Sequence, residues 1–144
     1  TDLKVPYILM HMKGTPQTMQ NNPEYTDITL EVNEYFSQKI AQLKAAKVKD
    51  IILDPGFGFA KTLDHNYELF SKMETLGFCE FPLLVGVSRK SMIYNLFETT
   101  PQEALNGTSV LNMVALQKGA KILRVHDVKE AKETLLIFQK LNQK

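Results

Sequence analysis

Two hydrophobic rhythms alternate along this chain. Short apolar runs rich in β-branched residues, at positions 5–10, 51–54, 81–87 and 121–128, have the length of buried strands. Between and after them, apolar residues recur at three- and four-residue steps, the period of a helix with one buried face. Ile28, Val32, Phe36, Ile40 and Leu43 make the first such stripe, with Asp27 placed to cap it. Tyr67, Phe70 and Met73 make the second, in a helix capped by Asp64 and ended by Gly77 in a left-handed turn. Leu105, Val110, Leu111, Val114 and Leu116 make the third, opened by a capping box at Thr100-Pro101-Gln102-Glu103 and closed by Gly119. Its small polar stretch Asn106-Gly107-Thr108-Ser109 suits a helix that packs on two sides. Val128, Ala131, Leu135, Phe138 and Leu141 make the last inward stripe, behind a second capping box at Asp127-Val128-Lys129-Glu130. Strand followed by helix, repeated, predicts a parallel sheet with right-handed crossovers.

Polar residues gather where each strand ends. The first exit is Met10-His11, followed by a long connection to about Asp27 that Pro16 and Pro23 punctuate; long ordered loops are often functional. The second is Asp54, opening the loop Pro55-Gly56-Phe57-Gly58-Phe59-Ala60-Lys61-Thr62. This loop fails both familiar phosphate patterns: Lys61 stands where a dinucleotide fingerprint needs its third glycine, and Ala60 where a nucleotide-hydrolase loop needs Gly before Lys-Thr. It offers instead a carboxylate acceptor beside aromatic faces. The third exit, Ser88-Arg89-Lys90-Ser91, sets two hydroxyls and two cations at a strand tip, a natural anion or carbonyl site. At the fourth, Arg124 and His126 alternate with Val125 and so share one strand face, just before a helix N-terminus suited to an anion. A buried ion pair is the weaker reading there, because the two cations repel unless an anion lies between them. His11, with no second His near it, is read as structural. The exits of a parallel sheet lie at one end, so one site is being assembled.

Bulk properties narrow the class. A chain of 144 residues with 44% apolar and 23% charged residues suits one globular domain. A formal charge of +1 shows no basic field for nucleic acid or membrane. No apolar run is long enough to span a bilayer, and no signal peptide is visible. A single cysteine, Cys79, excludes an internal disulfide framework and suits a reducing, cytoplasmic compartment. The chain opens at Thr1 and enters a strand pattern almost at once, as a fragment would.

Four stretches together resemble the consecutive motifs of dihydropteroate synthases: Met10-His11-Met12-Lys13-Gly14-Thr15-Pro16, Leu53-Asp54-Pro55-Gly56-Phe57-Gly58-Phe59, Val85-Gly86-Val87-Ser88-Arg89-Lys90-Ser91 and Arg124-Val125-His126-Asp127-Val128. The resemblance implies the C-terminal half of a pterin-binding TIM (β/α)8 barrel, about strands five to eight with their helices, over residues 1–144. It implies an enzyme of folate biosynthesis that joins 4-aminobenzoate to 6-hydroxymethyl-7,8-dihydropterin diphosphate and releases diphosphate with Mg²⁺ assistance, the metal-linked residue lying outside this chain. Substrate-binding positions would be Met10, Asp54, Phe57, Gly58, Phe59, Gly86, Ser88, Lys90, Arg124 and His126. Of these, Asp54 would accept from the pterin amino group and ring N–H, and Met10 and Phe59 would line the pterin. Gly58 would allow close approach, and Ser88 would lie near the aminobenzoate carboxylate. Lys90, Arg124 and His126 would be the catalytic residues, holding the ring carbonyl and N5 and the leaving diphosphate. A homodimer through the last helices is implied as well. Two other readings stand beside this one. The first is a non-catalytic half-barrel that binds pterin or self-associates. The second is a methyltetrahydrofolate-dependent methyltransferase, which the Ser88-Arg89-Lys90-Ser91 motif disfavours.

Overall fold

The computed structural model describes residues 5–14 and 24–143, without the side chains of Phe78 and Cys79. Most of the predicted connection between the first strand and the first helix, residues 15–23 with Pro16 and Pro23, lies outside the described residues. The element order is β1 (Tyr7–Met10), α1 (Ile28–Ala45), β2 (Ile51–Asp54), α2 (Leu63–Ser71), β3 (Leu84–Val85), α3 (Ser91–Tyr94), α4 (Leu105–Gln117), β4 (Ile122–Leu123) and α5 (Val128–Leu141), with 3₁₀ turns at Met73–Cys79 and Pro101–Glu103.

β1 pairs with β2 in parallel, Tyr7 opposite Ile51 through Met10 opposite Asp54. β3 pairs with β4 in parallel, Leu84 opposite Ile122 and Val85 opposite Leu123. A parallel bridge between Leu53 and Leu83 joins the two ladders into the order β1-β2-β3-β4. The expected strand at 81–87 is thus much shorter as a ladder. Pro82 has no N–H to give it, and contributes only its carbonyl, which accepts from Leu53 N–H at 2.9 Å. Behind the sheet lies a continuous apolar core in which Val32, Phe36, Leu53, Phe57, Leu69, Met73, Leu76, Val85 and Val87 are completely buried.

Asp27 caps α1 as expected, its side chain accepting from Leu30 N–H. Other helix boundaries differ. The cap of α2 is Thr62, in a capping box closed by the His65 ring, so Asp64 falls inside the first turn. That helix ends at Ser71, and Gly77 (φ +61°) lies in the 3₁₀ turn beyond it, where a Cβ would stand 2.4 Å from Leu53 Cδ1. The Thr100 box does not form either: Pro101–Glu103 is a single 3₁₀ turn, and Glu103 accepts from Thr99 Oγ1. α4 then runs unbroken through its small polar stretch. Gly107 permits this, since a Cβ there would meet Ile93 Cγ2 at 2.4 Å and Phe97 Cε2 at 2.8 Å.

α5 corrects a further expectation. Ala131 and Thr134 are its buried residues, whereas Val128, Leu135, Leu136, Ile137 and Leu141 are exposed. Its narrow small-residue face packs on α4, and the wider apolar stripe is left uncovered by the described residues.

Candidate functional site

The parallel ladder brings Asp54 to the last position of β2, beside Met10. Its side chain is 1% exposed. Oδ1 accepts from Gly56 N–H at 2.8 Å, the short Asx bond that starts the turn. Oδ2 lies 3.0 Å from Arg124 Nη2 but off the line of a hydrogen bond, so among the described residues this buried oxygen has an ion-pair contact and no directed donor. An under-satisfied buried acceptor is costly, and such a group marks a site that another donor would complete. Gly56 fixes the loop against the first strand exit. With φ +68° it has no room for a side chain, because a Cβ would stand 2.0 Å from the His11 carbonyl oxygen. Further along, Gly58 N–H donates to Asn66 Oδ1 at 2.7 Å, and Asn66, itself buried, returns a bond to Thr62 O at 2.7 Å.

Two lysines fold onto the loop that follows this carboxylate. Lys90 leaves the third exit, passes Gly58 and donates to the Phe57 carbonyl. Its Nζ lies 4.7 Å from the centroid of the Phe59 ring. Gly58 therefore makes room for Lys90, whose Cδ would be 3.1 Å from a Cβ there. Burial lowers the Lys90 pKa to about 8, with Asp54 pulling it back up. Lys61 is the residue that sequence reasoning missed. Its Nζ is 3.0 Å from His11 Nδ1, 3.0 Å from Gly56 O and 3.1 Å from Phe59 O. Burial lowers its pKa to about 7, again opposed by Asp54. The only signal in the sequence was negative, a lysine where a glycine fingerprint breaks.

His11 lies 4% exposed beneath the site, edge-on to Tyr35 with ring centroids 5.1 Å apart. An ammonium can only donate, so Nδ1 accepts from Lys61 and the ring is the neutral Nε2–H tautomer. Burial, then Lys61, pushes its pKa down to about 3. This is the structural role that a lone His suggested.

The fourth exit supplies Arg124 and His126. Arg124 lies across Gly86, where a Cβ would be 3.0 Å from Nη2, and reaches Asp54. The ion pair that sequence reasoning set aside therefore forms, with Arg124 half exposed and Asp54 buried. His126 turns to Ser88 instead: Ser88 Oγ is 2.9 Å from Nδ1 and accepts from His126 N–H at 3.2 Å. Arg89 is committed elsewhere, with two bonds to Asp127, and of the two exit cations Lys90 turns instead to the Phe57 carbonyl. Phe57 offers the site its carbonyl and not its ring, which is completely buried against Phe70. Met10, opposite Asp54 in the ladder, and Phe59, beside Lys90, remain partly exposed. Among the described residues no three of His, Cys, Asp and Glu gather into a metal-binding group.

The site combines a buried acceptor, Arg124 against it, Lys90 over the Phe59 ring, and His126 on Ser88, groups suited to a hydrogen-bonding, anion-bearing ligand. It lies at the C-terminal ends of parallel strands, each followed by helix, the end where open α/β sheets and (β/α) barrels place their sites. The pattern of the family described as "Pterin binding enzyme" matches residues 1–126, and the chain belongs to that family. It is 45% identical over 137 residues to the dihydropteroate synthase of Escherichia coli K12, covering 94% of this chain and 49% of the relative. To that of Haemophilus influenzae it is 38% identical over 141 residues, covering 95% and 50%. In structure it is similar to a Yersinia pestis dihydropteroate synthase in a sulfonamide drug complex, with a TM-score of 0.94 and 42% identity over 97% of this chain and 52% of that one. A Thermus thermophilus dihydropteroate synthase in complex with 6HMPPP gives a TM-score of 0.92 and 34% identity, covering 97% and 57%. The chain thus spans about half the length of the curated relatives it matches.

Proposed function

We propose that this chain is the C-terminal half of a dihydropteroate synthase barrel and carries part of its pterin, aminobenzoate and diphosphate site. The observation that carries the reading is Asp54: a buried carboxylate with one oxygen lacking a directed donor, beside Arg124. The 2-amino-4-oxo edge of a pterin presents two parallel N–H donors, the complement of a carboxylate. Lys90 would reach the ring carbonyl and N5, with Met10 and Phe59 on the ring faces. Arg124 and His126 would receive the diphosphate at the N-terminus of α5, where the helix dipole favours an anion. The C–O bond to diphosphate breaks as these groups take up the developing charge. The amine of 4-aminobenzoate then forms the new C–N bond at the pterin methylene and gives up a proton. Ser88, whose hydroxyl is shared with His126, would lie toward the aminobenzoate carboxylate. Mg²⁺, implied by the resemblance, finds no ligand cluster among the described residues, so no step here runs through it.

The test is calorimetric titration of this chain with 6-hydroxymethyl-7,8-dihydropterin diphosphate, with and without Mg²⁺. Saturable binding is the expected result, and its absence in a folded sample would remove the reading for this chain. The reading includes a cytoplasmic homodimer. Exposed Val110 on α4 and Leu136, Ile137 and Leu141 on α5 make a surface suited to a second copy, and light scattering that shows only monomer would remove the dimer. The single cysteine supports the compartment. Among the described residues no helix is long and apolar enough to cross a membrane.

A further inference from the structure

The ladder between β3 and β4 stops at Val85 and Leu123, yet its register continues in side chains. The offset that sets Leu84 opposite Ile122 next brings Gly86 opposite Arg124, Ser88 opposite His126 and Arg89 opposite Asp127. All three are contacts. Arg124 lies on Gly86, and Ser88 meets His126 at 2.9 Å. Arg89 grips Asp127 with two parallel bonds, Nε to Oδ2 at 2.9 Å and Nη2 to Oδ1 at 2.7 Å. The strand pair thus reaches into the site as a row of side-chain rungs, of which the last is a planar fork between guanidinium and carboxylate.

That last rung is held from other sides. Arg89 Nη1 donates to Pro101 O and Gln102 O at 3.0 and 2.9 Å. Its backbone N–H donates to Thr108 Oγ1 at 3.0 Å, and Thr108 donates onward to Ala104 O at 2.8 Å. Arg89 itself stands at φ +53°, a conformation a non-glycine residue keeps only when its surroundings impose it. The left-handed residue sends its two neighbours opposite ways, Ser88 to His126 and Lys90 across to the Phe57 carbonyl. Asp127 also departs from its local role. It occupies the N-cap position of α5 but makes no side-chain cap, because its carboxylate is given to Arg89. Both residues forgo their cheapest local arrangement for this contact.

We propose that Arg89 and Asp127 are the positioning pair for the anion end of the site. They touch no ligand; they fix His126 against Ser88. This rests on the diphosphate reading above. A bidentate fork sets orientation as well as distance, which a point charge does not, so Lys at position 89 would not replace Arg.

The test uses Arg89→Lys, Asp127→Asn and the double variant, each titrated with 6-hydroxymethyl-7,8-dihydropterin and with its diphosphate. The affinity gained from the diphosphate is expected to fall about tenfold in either single variant and little further in the double, as for one shared interaction. Affinity for the bare pterin is expected to stay unchanged. An undiminished diphosphate gain, or parallel weakening of both probes, overturns the proposal, the latter by making the pair a general support of the fold. A second readout needs no ligand. Hydrogen exchange at His126 N–H, bonded to Ser88 Oγ, is expected to quicken about tenfold in Asp127→Asn, while Arg124 N–H, bonded to Val85 O, keeps its rate. Equal rates at His126 overturn the proposal. If the unsubstituted chain binds neither probe but exchange responds as expected, the functional reading falls and the positioning of His126 stands.

Discussion

Asp54→Asn is expected to lower affinity for the pterin diphosphate by roughly a hundredfold, about 3 kcal/mol, while leaving the chain folded. The substitution is chosen for what it keeps. Asn retains an oxygen that accepts from Gly56 N–H, the 2.8 Å bond that starts the loop, so the turn against His11 survives. What it loses is the second acceptor and the charge. A pterin edge needs both oxygens, and charge-assisted bonds contribute roughly 1.5–3 kcal/mol each. The amide nitrogen would moreover set donor against donor. Calorimetry is the measurement, and affinity like that of the unsubstituted chain would take the pterin from Asp54.

The second large effect is on stability. Between pH 6.5 and about 3 the folded chain keeps His11 neutral while the unfolded chain protonates it. The unfolded state then binds more protons, so stability falls as the pH drops through this window. The whole window corresponds to about 5 kcal/mol as an order of magnitude, more than half of it lost by about pH 4.5. His11→Asn, which keeps an acceptor near the Nδ1 position for Lys61, is expected to remove most of that slope in urea unfolding at neutral and acid pH. An equal acid loss in both proteins would mean that other groups carry it. Lys61 continues the trend upward. Its folded value near 7 against an ordinary 10.5 makes stability rise from neutral pH toward 10.5, since there too the unfolded state holds the extra proton.

The sequence carried the periods and the exits well. Asp27, the stripe from Ile28 to Ile40 and the parallel order follow from local chemistry that each residue brings with it. Helix ends were less legible, because a cap is a competition. Thr62 took the cap of α2 with His65 completing the box, an acceptor that the usual Glu or Gln pattern does not anticipate. Asp127 had a better partner far along the chain than its own helix. The same distance hid Lys61 and His11, which meet across 50 positions. For α5, period showed that Val128, Leu135 and Leu141 share an apolar stripe, but a period does not show what covers it. At the site, the residue types gathered at the exits were visible in advance, whereas their pairing was not. Ser88 with His126, Arg124 with Asp54 and the inward Phe57 ring are facts of three-dimensional register.

The contact between Arg124 and Asp54 has a thermodynamic consequence for the proposed ligand. Arg124 sets its charge 3.0 Å from Asp54 Oδ2 without a directed bond, so a cation already stands against the acceptor before any ligand arrives. A pterin that parts Arg124 from Asp54 gives up that attraction unless it brings a new anion for the half-exposed guanidinium. The diphosphate does so on the same molecule. The two ends of one ligand would then be cooperative, each lowering the cost of seating the other, with a single side chain as the coupling element.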